Sequence, residues 1–342
     1  MVQGHGITIR DVARRAGVSI TAVSHALNGK GTLSEATRER IARVAEEMGY
    51  QADAMARGLR SSSIGAIGLV FRSLDALADY RPSGVDVFMR FAGELSAQAL
   101  ARGLSVVLVP DLTRTPIPPL GFSLDGYIVT NPHRDDAVVA LLERRGIPCV
   151  AQGSVPGRPD FVDWVSEDDA ASMRRLLDHL AKAGARSIVL AHGTDPNSWN
   201  LDSIEAYTVW CAEHGVTSRL LAQPERTGLD GGAEIAARVL AQGLPDALVC
   251  MTGRHAAGAE QTLLDAGVAV PGQVMIAAGS DSAHARAARP AITAIEMTPR
   301  ETGIALLDAL EELMAGRTPE TPRRTASVLR TRGSTARAVS RA

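Results

Sequence analysis

The chain has 342 residues, 45% of them apolar and 22% charged, with a formal net charge of −2. That length and apolar content provide for two or three domains with sizeable cores, and no apolar run approaches a membrane span. Cys149, Cys211 and Cys250 lack disulfide-framework or metal-ligand spacing and read as buried thiols of a reducing cytoplasm. The polar N-terminus carries no signal-peptide pattern, so a cytoplasmic protein is expected. The net charge hides an asymmetry: residues 1–63 carry +3 and the remainder −5. A modest basic segment suits a polyanionic partner, and because a single copy would bind weakly, a dimer is expected.

The first elements lie within TIRDVARRAGVSITAVSHALN, residues 8–28. Thr8 and Asp11 have capping-box spacing, with Asp in place of the commoner Glu. Val12, Ala13 and Ala16 give the first helix one small apolar face, and Gly17 supplies the left-handed residue that ends it. Val18 plugs the corner, and Ser19 caps a second helix beginning at Ile20. Val23, Ala26 and Leu27 are spaced to pack back on the first helix. Thr21, Ser24 and His25 lie on the other face, with Ile20 and Ala22 at the helix start. These short side chains suit close approach to a base edge or phosphate, and the N-terminus of the second helix favours phosphate. Ser34 caps a third helix, Glu35 to Met48, closed by Gly49.

At this point the chain resembles the LacI-type (lactose/galactose repressor) family of transcription regulators. The carrying residues include Thr8, Asp11-Val12-Ala13, Ala16-Gly17-Val18-Ser19, Val23-Ser24, Leu27-Asn28, Thr37-Arg38, Ile41, Gly49-Tyr50 and Ala56-Arg57 with Leu59. The resemblance implies that Ile20, Thr21 and His25 read bases in the major groove. It implies that Thr8, Ser19, Ser24, Asn28, Thr32 and Tyr50 make phosphate or orienting contacts, with Ala22 and Arg57 also at the DNA. Leu59 matches the leucine of the family's hinge helix, which enters the minor groove as an apolar wedge. Three positions depart from the pattern: Ala52-Asp53 replaces the usual Pro-Asn, and His25 stands where Arg is common.

From residue 63 onward, apolar strand-like runs alternate with helical ones. Strands are expected at 63–71, 104–109, 126–130, 148–152, 187–191, 247–252, 274–278 and 292–296. Helices are expected near 85–102, 134–145, 168–183, 198–214, 230–242, 254–266 and 299–315. Continuous apolar strands between helices argue for parallel, doubly wound sheets, and there are too many units for one sheet. The fold class is therefore an N-terminal all-α helix-turn-helix domain followed by a two-lobed α/β body. The resemblance implies that this body is like a periplasmic binding protein, with three crossing strands. The expected division is 1–51 for the DNA-binding domain, 52–62 for the hinge, and 63–332 for the effector-binding and dimerisation body. Lobe one is placed at about 64–163 and 292–325, lobe two at about 164–291, and a polar tail at 333–342. Pro116, Pro118 and Pro119 forbid a normal helix in 111–123.

Ligands of open α/β sheets sit beyond the C-terminal strand ends. Those ends carry Phe71-Arg72-Ser73, Asn131, Asp168-Asp169, the loop 192–200, Arg254 and Asp281. The expected effector set is Phe71, Asn131, Asp168, Asp195, Trp199, Asn200, Arg254 and Asp281. Trp199 offers a stacking face, and Asp281 matches a family position that binds ligand hydroxyls. The family's ligand-binding Arg falls at Ser203, and its Asn-Asp at Thr252-Gly253. Its Gly-aromatic-Asp-Asp is here Gly279-Ser280-Asp281-Ser282. The groups that best recognise carboxylates and sugar hydroxyls are thereby lost.

The function expected is a dimeric DNA-binding transcriptional regulator, a repressor at the bacterial nucleoid, binding a pseudo-palindromic operator. A small effector, a sugar or related metabolite, would modulate it from the cleft between lobes. The alternatives are a regulator with an atypical or absent effector, or a solute-binding protein. An enzyme is disfavoured: G-x-G-x-x-G, the P-loop, H-E-x-x-H and G-x-S-x-G are all missing. His192 with Asp195 is the one cluster resembling acid–base machinery. Neither cofactor nor metal is expected.

Overall fold

A computed structural model describes residues 7–27, 31–50, 63–72 and 86–336. Contacts divide the chain into two compact units, Met1–Ile64 and Gly65–Ala342.

The first unit holds α1 (Ile9–Ala16), α2 (Ile20–Leu27) and α3 (Glu35–Glu47). The Asp11 carboxylate accepts the Thr8 N–H at 3.0 Å and the Thr8 hydroxyl at 2.6 Å, which ties down the first turn of α1. Gly17 ends that helix at φ +65°, a left-handed conformation that costs an L side chain steric strain. Ser19 Oγ accepts the Ala22 N–H at 3.1 Å and starts α2. Val12, Ala13, Ala16, Val23, Ile41 and Ala45 form the shared core, with Val18 and Tyr50 packed at its edge. Leu27, expected to pack on α1, is exposed. Helix α2 buries one narrow stripe, and only Val23 and the half-buried Ala26 lie on it.

The body contains two six-stranded sheets. The first runs β11-β5-β4-β3-β1-β2, from β1 (Ala66–Phe71), β2 (Ser105–Val109), β3 (Gly126–Thr130), β4 (Cys149–Gln152), β5 (Trp164–Glu167) and β11 (Arg323–Thr325). The second runs β12-β10-β9-β8-β6-β7, from β6 (Ile188–His192), β7 (Arg219–Ala222), β8 (Ala247–Cys250), β9 (Met275–Ala278), β10 (Thr293–Glu296) and β12 (Val328–Arg330). All pairings are parallel except β12, which runs antiparallel to β10. Helices α4 (Asp86–Ala101), α5 (Ala137–Arg144) and α11 (Pro299–Met314) pack with the first sheet. Helices α6 (Asp169–Lys182), α7 (Ser198–Glu213), α8 (Gly228–Gln242), α9 (Gly253–Asp265) and α10 (Ala283–Ala287) belong with the second. Residues 111–123 form turns and no helix, as their prolines require.

The lobe boundaries differ from those expected. Strand β10, assigned to lobe one, pairs with β9 in the second sheet because Ile292 and Ala294 complete that sheet's apolar core. Strand β5, assigned to lobe two, lies in the first sheet, where Val165 is buried beside Val150 and Ile128. The chain thus passes between lobes after Glu167, after Glu296 and between Thr325 and Val328. Residues 333–336, expected in a polar tail, belong to the body. The Ser334 hydroxyl donates to the Ile276 carbonyl at 2.6 Å, and Thr335 Oγ1 lies 2.7 Å from Thr293 Oγ1. A buried pair of hydroxyls with partners is structure, not tail; residues 337–342 fall outside the described set.

Helices α8 and α9 approach so closely that glycine is required at the contact. A Cβ on Gly258 would collide with the Leu229 carbonyl oxygen, and one on Gly232 with the His255 carbonyl oxygen. In an open helix Gly→Ala stabilises by up to ~1 kcal/mol. Here backbone atoms are in the way, so Gly258→Ala is expected to destabilise the body by about 2 kcal/mol. Its melting temperature should fall by several degrees; an unchanged or higher value in calorimetry would show that α8 and α9 move apart freely.

Candidate nucleic-acid interface and ligand cleft

On the first unit, α2 presents an exposed face. Ile20 is 44% exposed, Thr21 and His25 are exposed, and Ala22 and Ser24 are half-buried beside them. Thr8, Ser19 and Thr32 are exposed, and Tyr50 is half-buried against the core. The hydroxyls of Thr8 and Ser19 are already engaged in capping, so they fix helix termini before they meet any ligand. The His25 ring lies over Gly31, where a Cβ would fall 2.6 Å from Nδ1. Gly31 therefore sets the ring's direction, a role that sequence spacing did not reveal. Arg10, Arg14 and Arg15 add exposed positive charge on α1. Asn28, Arg57 and Leu59, with the whole hinge segment, lie outside the described residues.

In the body, a cleft of about 1230 Å³, open mouth included, lies at the C-terminal strand ends of both sheets. That is where this class of sheet places ligands. From the first sheet come Asn131, Gln152, Ser166 and Glu167; from the second come Asp195, Trp199, Thr252 and Arg254. Asn131 adopts φ +45°, which Asn tolerates better than most residues, and its N–H is tied to the Gln152 carbonyl at 2.8 Å. Phe88, Phe91 and Met297 add an apolar wall. Loops from the two lobes touch at one side of the cleft. The Arg134 N–H donates to the Pro196 carbonyl at 2.8 Å, and His133 bridges Asn197.

Four of the eight expected effector residues line this cleft: Asn131, Asp195, Trp199 and Arg254. The other four do other work. Phe71 is buried in the first core, its ring 5.6 Å from that of Phe88. Asp168 caps α6, accepting the Ala171 N–H at 3.0 Å, so its neighbour Asp169 faces the cleft instead. Asn200 is buried behind the wall. Its amide donates to the Asp195 carbonyl and to Glu225 Oε1, and its oxygen accepts the Gly193 N–H. Asp281 is consumed by arginines: Arg332 grips both its oxygens at 2.9 Å and Arg286 adds a third contact at 3.1 Å. Burial raises the Asp281 pKa, but those two guanidiniums outweigh it and hold the carboxyl below its ordinary range. Among residues not foreseen, Glu225 braces the loop after β6, accepting the Thr194 N–H at 3.0 Å.

Below the cleft, Arg72 bonds Asp111 at 2.6 Å and Asp136 at 2.8 Å, all three buried. Asp136 also accepts the N–H groups of His133, Val138 and Val139, so Arg72 anchors the loop that reaches lobe two. His192 points at its own neighbour, Nδ1 lying 2.7 Å from the Gly193 carbonyl oxygen, and is absent from the cleft lining. It forms no dyad with Asp195 among the described contacts. No helix among the described residues is long and apolar enough to cross a membrane, and no group of His, Cys, Asp or Glu there would hold a metal.

Residues 8–53 match the family model of bacterial regulatory proteins of the lacI family, and residues 177–335 match that of the periplasmic binding protein-like domain. The maltose regulon regulatory protein MalI of Escherichia coli K12 is 27% identical over 332 residues, covering 91% of this chain and 93% of that protein. Catabolite control protein A of Staphylococcus xylosus is 24% identical, covering 84% and 87%. Among solved structures, a lac repressor dimer bound to operator and the anti-inducer ONPF superposes with a TM-score of 0.81 at 20% identity, covering 96% of this chain and 99% of that one. The complex of the transcriptional regulator CelR with cellobiose superposes with a TM-score of 0.68 at 22% identity, covering 96% and 99%. These two show a shared fold. Helix-turn-helix and binding-protein-like body stand in the same order on one polypeptide: residues 8–53 carry a lacI-family DNA-binding domain, and nearly the whole chain resembles DNA-binding transcriptional regulators.

Proposed function

We propose that this regulator is a homodimeric, cytoplasmic repressor whose two α2 helices read the half-sites of a pseudo-palindromic operator. A small effector in the cleft shifts the balance between two lobe arrangements by its differential affinity for them. The observation that carries this reading is the helix-turn-helix, capped at both ends of α1 and at the start of α2, with an exposed α2 face on the same chain as a ligand-sized cleft. Ile20, Thr21, Ala22 and His25 read bases, while Thr8, Ser19, Ser24, Thr32 and Tyr50 meet phosphate or orient the helix. Asn28, Arg57 and Leu59 join them as proposed by the family resemblance. Asn131, Asp195, Trp199 and Arg254 hold the effector, joined by Asp169. The relatives' names and complexes point to saccharides: MalI to a maltose regulon, the CelR structure to cellobiose. Dimerisation suits the first sheet, whose edge strand β2 carries Leu108 57% exposed and packs with α4, where Leu100 is 68% exposed. The chain is not proposed to be an enzyme.

Binding-site selection from random DNA tests the reading. A pseudo-palindrome should emerge, bound with a steep salt dependence. Thr21→Ala and His25→Ala should each relax preference at one or two positions per half-site, costing about 1–3 kcal/mol there. Selection of no consensus, or unchanged specificity in both variants, would remove α2 as the reading head.

A further inference from the structure

We infer that the effector of the inter-lobe cleft carries a protonated amine, seated on Asp169. This rests on the cleft being the effector site. Among the described residues four carboxylates line it, those of Glu167, Asp169, Asp195 and Glu225, against one guanidinium, that of Arg254. Their internal partners differ. Glu225 accepts from Asn200, Thr194 and Asp195 N–H groups, and Glu167 accepts the Thr302 hydroxyl at 2.9 Å. Arg254 donates to the Glu225 main-chain carbonyl at 3.2 Å. Asp169 has a single long contact, the Ser166 hydroxyl at 3.4 Å, and the Asp195 carboxylate accepts no hydrogen bond among the described residues.

These two carboxylates are poorly compensated where they stand. Burial pushes the Asp169 pKa well above its ordinary value, and Glu167 and Asp202 push it further, against the opposing Ser166 hydrogen bond and Arg324 charge. Arg324 is itself spread over the Trp164 ring and lies 3.9 Å from Asp168. A carboxylate or phosphate ligand would add like charge to this wall, and a neutral polyol would offer only ordinary hydrogen bonds. An ammonium supplies three donors and the missing charge together. Ser203, which also lines the cleft, is uncharged and adds nothing to Arg254 for holding an anionic ligand. Phe88 and Trp199 line the same cleft and offer aromatic faces to a cationic ligand.

The test uses the full chain without DNA, titrated at pH 7 with matched sets: glucose, glucosamine and glucuronate, then galactose, galactosamine and galacturonate. Thermal shift and calorimetry should rank the amine first in at least one set, by about tenfold over its hydroxyl parent, the fold-change of one charge-assisted hydrogen bond. Asp169→Asn should abolish that preference and leave the unliganded melting temperature equal or higher. A neutral or acidic member binding as tightly as its amine overturns the inference while leaving the effector reading intact. So does an Asp169→Asn chain that melts lower and keeps the preference. If no member of either set binds, the effector reading falls and the amine with it.

Discussion

Arg72→Met is expected to destabilise the body by about 3–5 kcal/mol at neutral pH, the loss typical when one partner of a buried ion network is removed. The side chains of Arg72, Asp111 and Asp136 are almost wholly buried, and Arg72 bonds both carboxylates, with the exposed Arg114 adding a longer contact to Asp111 at 3.5 Å. Burial pulls the Arg72 pKa down, but Asp136 and Asp111 outweigh it and hold it up. Burial likewise pushes Asp111 up, yet bonds from Thr113 and Arg72 bring it below its ordinary value of 3.8. A carboxylate with a depressed folded pKa contributes stability above its unfolded pKa and loses it as pH falls through the folded one. In the variant that contribution reverses, because both buried carboxylates lose the Arg72 guanidinium, and Asp111 loses a bond that holds its pKa down. The deficit should therefore be largest near pH 7 and shrink as pH drops through the carboxylate range. Denaturant melts at several pH values measure this. A pH-independent deficit would mean that the lost packing of the Arg stem, rather than the charge, was responsible. Since Asp136 also holds the 131–136 loop, the variant should loosen the contact at Pro196 and weaken effector binding.

Val23→Asp should abolish sequence-specific DNA binding, a loss of at least about 10³-fold that leaves only residual non-specific affinity. Val23 is fully buried among Val12, Ala13 and Ile41. An unpaired carboxylate there costs several kcal/mol, and a three-helix unit of this size has only a few to lose. The unit should unfold while the body, a separate compact unit, keeps its melting temperature and its ligand affinity. Gel shift with the selected operator, beside calorimetry, reads both halves of the prediction. Retained specific binding would place the reading head elsewhere.

The elements that sequence made legible are those whose signal is local. Continuous apolar runs such as Gly126–Thr130 and Ala247–Cys250 needed no partner to be recognised as buried parallel strands. Strands β5, β7, β11 and β12 were not foreseen because their sequences, WVSE, RLLA, RRT and VLR, hold no continuous apolar run of that length, and all but β5 are edge strands carrying arginine. Pairing, not composition, makes them strands. The site divides the same way. The rule that ligands gather at C-terminal strand ends found Asn131, Asp195, Trp199 and Arg254. It misplaced Asp281, whose fate depends on Arg332, 51 residues away in sequence. It also misplaced Asp168 by one position, because the cap turns its own carboxylate back to the helix and leaves the next one free.

The three passages of chain between lobes carry a consequence for synthesis. The first sheet is completed by β11 at Arg323–Thr325 and covered by α11, so nearly the whole polypeptide must leave the ribosome before that lobe can close. The three-helix unit, made of one continuous N-terminal segment, has no such dependence and is free to fold as it emerges. A nascent or truncated chain thus carries a finished DNA-reading module before it owns a sensor. Termination between residues 51 and 322 would leave the three-helix segment whole and the first sheet without β11.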